Sequence, residues 1–176
     1  MIVIIFLMGF PGIIGSIDGC HIDIKQPVDN AADFYNRKQR HSIILQAVCD
    51  DTCRFTDVFI GMPGRVHDAR VYRSSPLYRK IRSDPPLIAA SQHLVADAAY
   101  PLMTNVLKPY RDNGNLSEAQ TRFNNVLSCH RSSIERAFAL LKGKSRRLKY
   151  LDMGIADKIP DVILSACILN NEHLEQ

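Results

Sequence analysis

Four carboxylates stand among small or apolar residues rather than in runs of charge: Asp18, Asp68, Asp97 and Glu135. Burying an unpaired carboxylate is costly unless a cation meets it. Hard divalent cations such as Mg²⁺ or Mn²⁺ take oxygen ligands and keep water or substrate phosphate in their remaining positions. Carboxylates that converge from strand ends and a helix are therefore typical of a metal site that acts on phosphodiester bonds.

Each carboxylate also has an ordinary structural interpretation. Asp18 and Asp97 could have local structural roles, because aspartate often stabilises turns. Asp68 could cap a helix, because it lies where a predicted helix begins. Glu135 has the position of a solvated residue or of an ion-pair partner for a neighbouring arginine, Arg131 or Arg136. Spacing alone leaves these interpretations open beside the metal site.

The elements that must position these side chains begin with strands. Alternating or β-branched apolar runs predict four strands, at 15–24, 41–51, 54–64 and 93–97. The second and third are separated by a short polar turn, which predicts a hairpin. Asp18 falls within the first strand and Asp97 closes the fourth.

Helical patterns dominate the rest of the chain. The segment 67–81 predicts a helix up to Pro76, and Pro160 marks the start of a C-terminal helix. Ser117 and Gln120 form a capping box before the segment 116–144, which predicts one long helix or two helices divided near 128–133. Strands followed by helices predict a mixed α/β fold.

Composition places the chain among ordinary globular proteins. Its 176 residues suffice for one domain, and a net charge of +4 with a pI of about 8.9 permits a polyanionic partner. The five cysteines have scattered spacings that favour free thiols in a reducing compartment over a zinc finger.

The apolar start, residues 1–14, needs a separate interpretation. It carries no basic segment at its beginning, and Pro11 and Gly12 interrupt it, so a signal peptide or membrane anchor is disfavoured. We expect an apolar lead-in at the point where a longer protein has been cut short.

Four motifs in order carry a resemblance to one family. IDGCHI (17–22) resembles the first-aspartate motif of PIF/Harbinger-type transposases and the nucleases derived from them. The segment 34–72 is similar to the Asn-Arg-Lys, hairpin and Pro-Gly-x-x-His-Asp motifs of that family. VADAAYPL (95–102) resembles the second-aspartate motif, and 131–148 resembles the glutamate helix.

The resemblance implies an RNase H-like fold, in which a mixed central sheet is flanked by helices. It implies a DDE endonuclease catalytic domain over 15–170, with Asp18, Asp97 and Glu135 as the catalytic triad. The same three residues and Asp68 would bind Mg²⁺ or Mn²⁺. The implied activity is hydrolysis of DNA phosphodiester bonds by a two-metal mechanism.

Basic side chains predict contacts with the DNA backbone, which carry no base preference. The candidates are Arg37, Lys38, Lys142, Lys144, Arg146 and Arg147. Their alternative interpretations are a solvated loop, a solvated surface and a localisation signal. Tyr35 and Tyr100 could stack on bases or pack in the core.

Family members carry a helical DNA-binding region before the first aspartate, and almost nothing precedes Phe10 here. A separate DNA-binding partner protein is therefore an expected partner, and the nucleus, with the cytoplasm as a second location, is the expected place of action. The alternative function is a catalytically inactive DNA-binding or protein-interaction module. The His67-Asp68 pair also permits a metal phosphohydrolase, which would need further histidine ligands.

Overall fold

The computed structural model of the chain describes residues 10–152 and 156–175. Residues 1–9 of the predicted apolar lead-in lie outside this range. The strands are β1 (Ile13–Asp23), β2 (Ser42–Cys49), β3 (Phe55–Pro63), β4 (His93–Val95) and β5 (Val106–Leu107). The α-helices are α1 (Ala31–Phe34), α2 (Asp68–Ser74), α3 (Pro76–Ile81), α4 (Glu118–Lys144) and α5 (Ile159–Glu172).

The five strands form one mixed sheet in the order β3-β2-β1-β4-β5. β1 pairs antiparallel with β2 and parallel with β4, so it is the central strand. The four predicted strands are confirmed, and each predicted end lies within two residues of the observed end. β5 was not predicted, because two residues are too short to show an alternating pattern.

Helices cover both faces of the sheet, which makes three layers. On one face, Ile22 of β1 and Ile24, the residue that follows β1, pack with α4 and α5. On the other face, Ile17 packs with α2, α3 and Tyr100. The predicted mixed α/β fold with a helix-flanked sheet is confirmed, and Tyr100 is a core residue.

α4 is one unbroken helix, so a division near 128–133 is wrong. The serines that suggest a break bond to the helix itself: Ser132 Oγ donates to the Cys129 carbonyl at 2.7 Å and Ser133 Oγ to the His130 carbonyl at 2.9 Å. Such bonds satisfy the hydroxyls without ending the helix. The capping box of Ser117 and Gln120 is confirmed.

The predicted helix end at Pro76 is confirmed, since α2 ends at Ser74. A second helix, α3, begins at Pro76 itself, which was not predicted from the sequence. Ser75 caps α3 by accepting the Tyr78 N–H at 3.2 Å, and proline is well suited to the first position of a helix.

All five cysteines are free thiols in the structure. Burial raises the pKa of Cys49 and of Cys167 to about 12, so both stay protonated near neutral pH. Within residues 10–152 and 156–175, no helix combines the length and apolar composition needed to span a bilayer.

Candidate active site

The register between β1 and β4 brings the first two predicted catalytic aspartates together. Ser16 lies opposite Val95 in this parallel pair, and Asp18 and Asp97 each follow two residues later. β4 has ended by that point, while β1 continues to Asp23. The two carboxylates therefore lie where neighbouring strands part, and their charges interact, since Asp97 raises the pKa of Asp18.

Asp18 is a largely buried carboxylate with two direct partners. The Gly19 N–H donates to its Oδ1 at 2.8 Å, and Arg131 Nη2 lies 3.3 Å from its Oδ2. Burial raises the pKa of Asp18 to about 6, although the Gly19 hydrogen bond and Arg131 lower it. Desolvation therefore exceeds the stabilisation that the present partners provide, and the site favours a further positive charge.

Asp68 reaches the same strand from the opposite face. A Cβ atom on Gly19 would lie 2.6 Å from Asp68 Oδ1, so the carboxylate occupies the space that a side chain at position 19 would need. Successive residues of a strand point to opposite faces, so Asp18 and Asp68 lie on either side of β1. Burial, then the charge of Asp97, raises the pKa of Asp68, while His21 lowers it.

The helix-cap interpretation of Asp68 can be compared directly with its position. Asp68 is the first residue of α2, and the preceding residue, His67, makes no side-chain cap hydrogen bond. Its carboxylate is next to Gly19 of β1, which links the Pro-Gly-x-x-His-Asp segment to the strand that carries Asp18.

Asp97 holds the turn that follows β4. The Ala99 N–H donates to Asp97 Oδ1 at 2.8 Å, and the Tyr100 N–H donates to the Asp97 carbonyl at 3.3 Å. One carboxylate oxygen therefore has the local turn role that sequence reasoning gave as the alternative. The same turn buries Tyr100, whose pKa is raised by burial and then by the charges of Asp18, Asp68 and Asp97.

Glu135 lies on the exposed side of α4, with 64% of its side chain accessible. Its nearest charged partner is Arg131, whose Nη2 is 3.8 Å from Glu135 Oε1. The same guanidinium nitrogen contacts Asp18, so Arg131 bridges the first aspartate and the glutamate of the predicted triad. The ion-pair interpretation of Glu135 is observed, and Arg131 is the residue that links Glu135 to Asp18.

Two serines, which sequence reasoning missed, fix α4 against β1. Ser16 Oγ donates to the His130 carbonyl at 2.9 Å, and Ser133 Oγ lies 3.1 Å from Ser16 Oγ. Both serines are buried. These bonds set the helix register that places Arg131 opposite Asp18, and they join residues more than a hundred positions apart, which no local pattern reveals.

The carboxylates fit a hard divalent cation in type, because they supply oxygen donors in a partly desolvated cluster whose charges repel one another. Their side chains are not gathered into a closed ligand set. Within residues 10–152 and 156–175, no three His, Cys, Asp or Glu side chains are close enough together to hold a metal ion. Arg131 lies between two of the predicted ligands, which gives a physical reason for their separation.

The predicted DNA-contacting residues Arg37 and Lys38 lie on a well-built turn beside the acidic cluster. Asn36 is 4% exposed, and its Oδ1 accepts the N–H groups of Lys38 at 2.8 Å and Arg40 at 3.3 Å. Both Arg37 and Lys38 are exposed, and the charge of Arg37 lowers the pKa of Asp68.

Ser42, also missed by sequence reasoning, connects this turn to the site. Its Oγ accepts from Asn36 Nδ2 at 2.8 Å and lies 2.9 Å from His21 Nδ1. Gly64 packs so closely that a Cβ there would lie 2.1 Å from Ser42 Oγ. One buried hydroxyl therefore joins three separate motifs of the chain.

The other predicted DNA-contacting residues divide into two groups. Lys142 Nζ donates to the His21 carbonyl of β1 at 2.7 Å, so its ammonium is engaged within the protein. Lys144, Arg146 and Arg147 are exposed at the end of α4 and in the 3₁₀ turn Arg146–Lys149. The structure therefore leaves the second group accessible to phosphate and ties the first to the central strand.

Comparison with known proteins identifies a matching family and several related proteins. Residues 17–171 match the family model described as "DDE superfamily endonuclease". The chain is 30% identical over 178 residues to the Rattus norvegicus protein named "Putative nuclease HARBI1", covering 96% of this chain and 48% of that protein. It is 28% identical to "Protein ALP1-like" of Arabidopsis thaliana, over 94% of this chain and 44% of that protein.

The human protein named "Putative nuclease HARBI1" is 29% identical over 174 residues. The chain spans about half the length of the curated relatives it matches. No solved structure matches the chain.

Proposed function

Because the chain belongs to the DDE superfamily endonuclease family, we propose that it is a divalent-metal-dependent DNA endonuclease with an RNase H-like catalytic domain, derived from a Harbinger-type transposase. The observation that carries the proposal is that Asp18, Asp68 and Asp97 all lie near the point where β1 continues past the end of β4, close enough for the charges of Asp97 and Asp68 to raise the pKa of Asp18. Glu135 is linked to Asp18 through Arg131, whose Nη2 contacts both carboxylates. The domain is proposed to extend over 15–170.

Asp18, Asp97 and Glu135, with Asp68 as a further ligand, would hold Mg²⁺ or Mn²⁺. When bound, two such ions supply an activated water and charge stabilisation at the leaving oxygen of a phosphodiester. Burial raises the pKa of Asp18 and Asp68, which means that the ionised form of each carboxylate is destabilised when no cation is bound. Cation binding offsets that cost, which favours a loaded site over an empty one.

Arg131 has a positioning role in this proposal. Its guanidinium keeps Asp18 and Glu135 on one side of the sheet and balances part of their charge before a cation arrives. Its Nε is buried and has no hydrogen-bond partner among the described residues, so the present arrangement leaves one donor unused.

The phosphate backbone would be held by cations next to the acidic cluster. Arg37 and Lys38 lie beside Asp68, and Lys144, Arg146 and Arg147 follow the glutamate helix. Such contacts position DNA without reading its sequence. A separate DNA-binding protein would supply sequence preference, and the nucleus would be the place of action.

An inactive DNA-binding or protein-interaction module is the second candidate, and one observation favours it. Arg131 occupies the position between Asp18 and Glu135, and in the part of the chain that is described no three ligand-type side chains are gathered for a metal ion. A module of this kind would retain the fold and the basic surface and would need no cation.

Nicking of supercoiled DNA by the purified chain tests the proposal. We expect cleavage with Mg²⁺ or Mn²⁺ that a chelator stops and that Asp97→Asn abolishes. Asp161→Asn is the matched control, because Asp161 is an exposed aspartate of α5 paired with Lys158. Absence of both cleavage and metal binding in a folded protein would refute the nuclease and favour the module.

A further inference from the structure

We propose that a cleft at the far end of β1 binds single-stranded DNA, the form that a nuclease meets at a frayed or cut end; this inference rests on the proposed nuclease function. The cleft has a volume of about 460 Å³. Its walls include Asp23, Gln26, Arg40, His41, Lys149 and Tyr150.

Backbone hydrogen bonds fix the three segments that form the cleft. On one side of β1, the Ile24 N–H donates to the His41 carbonyl at 2.9 Å. On the other side, the Leu151 N–H donates to the Asp23 carbonyl at 2.8 Å, and the Lys25 N–H donates to the Leu151 carbonyl at 3.0 Å. The walls are therefore built into the sheet and do not depend on loose side-chain contacts.

One basic residue from each of two clusters that are far apart in sequence, Arg40 and Lys149, lines this cleft. Arg40 ends the turn that carries Arg37 and Lys38, and Lys149 ends the turn that carries Arg146 and Arg147. Asp23 is the acidic residue of the wall, and Arg40 Nη1 neutralises it at 2.8 Å. The cleft therefore presents net positive charge, as a polyanionic strand requires.

Exposed aromatic rings accompany these cations. Tyr150 lies in the wall and is 54% exposed, and Tyr35, 47% exposed, packs against His41 with ring centroids 5.2 Å apart. Unstacked bases stack on such rings, whereas a duplex keeps its bases paired and its backbone outermost. Cations together with exposed rings therefore favour a single strand over a duplex.

The cleft is separate from the acidic cluster and on the same strand. Ile24, the residue that follows β1, lies six residues after Asp18, which corresponds to about 20 Å at a rise of about 3.3 Å per residue. The exposed Arg37 and Lys38 belong to the same turn as Arg40, and the charge of Arg37 lowers the pKa of Asp68. A strand bound in the cleft could therefore continue toward the carboxylates over a basic surface.

Fluorescence anisotropy with a labelled oligonucleotide and its blunt duplex, in chelator so that no cleavage occurs, tests the inference. We expect Tyr150→Ala to weaken single-strand binding about tenfold and duplex binding much less. Tyr150→Phe retains the ring and should bind as the original chain does. Tyr110→Ala is the matched control, because Tyr110 is 50% exposed and lies outside the cleft.

Equal losses for Tyr150→Ala and Tyr110→Ala would overturn the inference, as would equal losses for the single strand and the duplex. Competition by polyglutamate as strong as that by DNA would also overturn it, since the cleft would then be a general anion site. Nicking is measured on the same proteins. If nicking is retained and Tyr150→Ala has no effect on single-strand binding, the cleft proposal is wrong and the nuclease proposal stands. If single strands bind as expected but there is no metal-dependent nicking, the nuclease proposal is wrong and the cleft proposal stands.

Discussion

The region around Asp18, in the middle of β1, and the region around Ile24, just after β1, differ in the charge of their side chains. At Asp18, three aspartates approach one another and only Arg131 lies within ion-pair distance of Asp18 among the described residues. Near Ile24, Arg40 and Lys149 line a cleft with Tyr150, and its acidic side chain, Asp23, is already paired. The first end suits a bound cation and the second suits a bound anion. Catalysis and substrate binding would therefore take place at different positions along one strand.

The largest expected effect is on the nicking rate, and it distinguishes a catalytic residue at the acidic end from a DNA-binding residue in the cleft. Asp18→Asn should lower the nicking rate at saturating DNA by on the order of 100-fold or more, because a ligand to the cation is lost. Lys149→Gln should raise the DNA concentration needed for half-maximal rate and leave the saturated rate unchanged. Steady-state nicking against DNA concentration measures both. A lower saturated rate for Lys149→Gln, or a pure affinity change for Asp18→Asn, would break the comparison.

The close approach at the acidic end predicts a steric effect. Gly19→Ala places a methyl group 2.6 Å from Asp68 Oδ1, and we expect a loss of about 1–3 kcal/mol in the free energy of unfolding. Asp68→Ala should relieve most of that loss in the double variant. Urea unfolding of the four proteins measures the coupling.

Gly143→Ala is the matched control for that experiment, because nothing lies within 4 Å of a Cβ there. It should be neutral or slightly stabilising, as alanine suits a helix better than glycine. An additive double variant at positions 19 and 68 would show that the two elements are not in the contact described.

A pH dependence follows from the raised pKa of Asp18. A carboxyl whose pKa is about 6 when folded and near 3.8 when unfolded contributes stability below about pH 4 and loses it as the pH rises through 6. Asp18→Asn mimics the protonated form. Without metal, the variant should therefore be more stable than the original chain by about 1–2 kcal/mol near neutral pH.

The difference should vanish toward about pH 4, where both proteins carry a neutral side chain at position 18. Thermal unfolding in chelator across that range measures it. A stability difference that does not change with pH would show that burial of Asp18 does not control its ionisation.

Arg131 tests how the acidic end is held before a cation binds. Arg131→Met frees Asp18 and Glu135, and we expect Mn²⁺ to bind about fivefold more tightly, in line with a partly exposed ion pair. Arg136→Met removes the same charge five residues further along α4, from a side chain whose Nε donates to the Ser132 carbonyl and which has no ion pair with Asp18. Calorimetric titration compares them, and equal affinities for both variants would show that Arg131 does not compete with the cation.

The smallest effect distinguishes two predicted DNA contacts on the basic side. Arg146→Gln should reduce the slope of the logarithm of the DNA-binding constant against the logarithm of the salt concentration by about 1, because one contact between an exposed cationic side chain and a phosphate is lost. Lys142→Gln should leave that slope unchanged and lower stability, since its ammonium bonds to the His21 carbonyl. A salt slope that changes for Lys142→Gln would place that lysine on the DNA.

The success of sequence reasoning depended on how local each signal was. The strands that carry Asp18 and precede Asp97 have alternating patterns, and they form within two residues of the predicted bounds. β5 has two residues and no pattern to read. The division proposed within α4 failed, because serine lowers helix propensity and yet bonds to the carbonyls of the preceding turn.

The candidate site divides in the same way. Residue type and order identified the carboxylates, but their proximity depends on the parallel register of β1 with β4. Arg131 could be paired with Glu135 by helical spacing, whereas its contact with Asp18 spans 113 positions. The meeting of Arg40 and Lys149 likewise needs the bonds of Leu151 beside β1, so local sequence could not predict the cleft.

Iron-mediated cleavage of the protein backbone tests the central claim most directly. Fe²⁺ replaces Mg²⁺ at such sites and, with ascorbate and peroxide, produces radicals that cut the nearby chain. We expect cuts near Asp18, Asp68, Asp97 and Glu135, suppressed by excess Mg²⁺ and lost in Asp97→Asn. Cuts scattered over the chain, or concentrated elsewhere and insensitive to Mg²⁺, would contradict a metal site at the acidic end of β1.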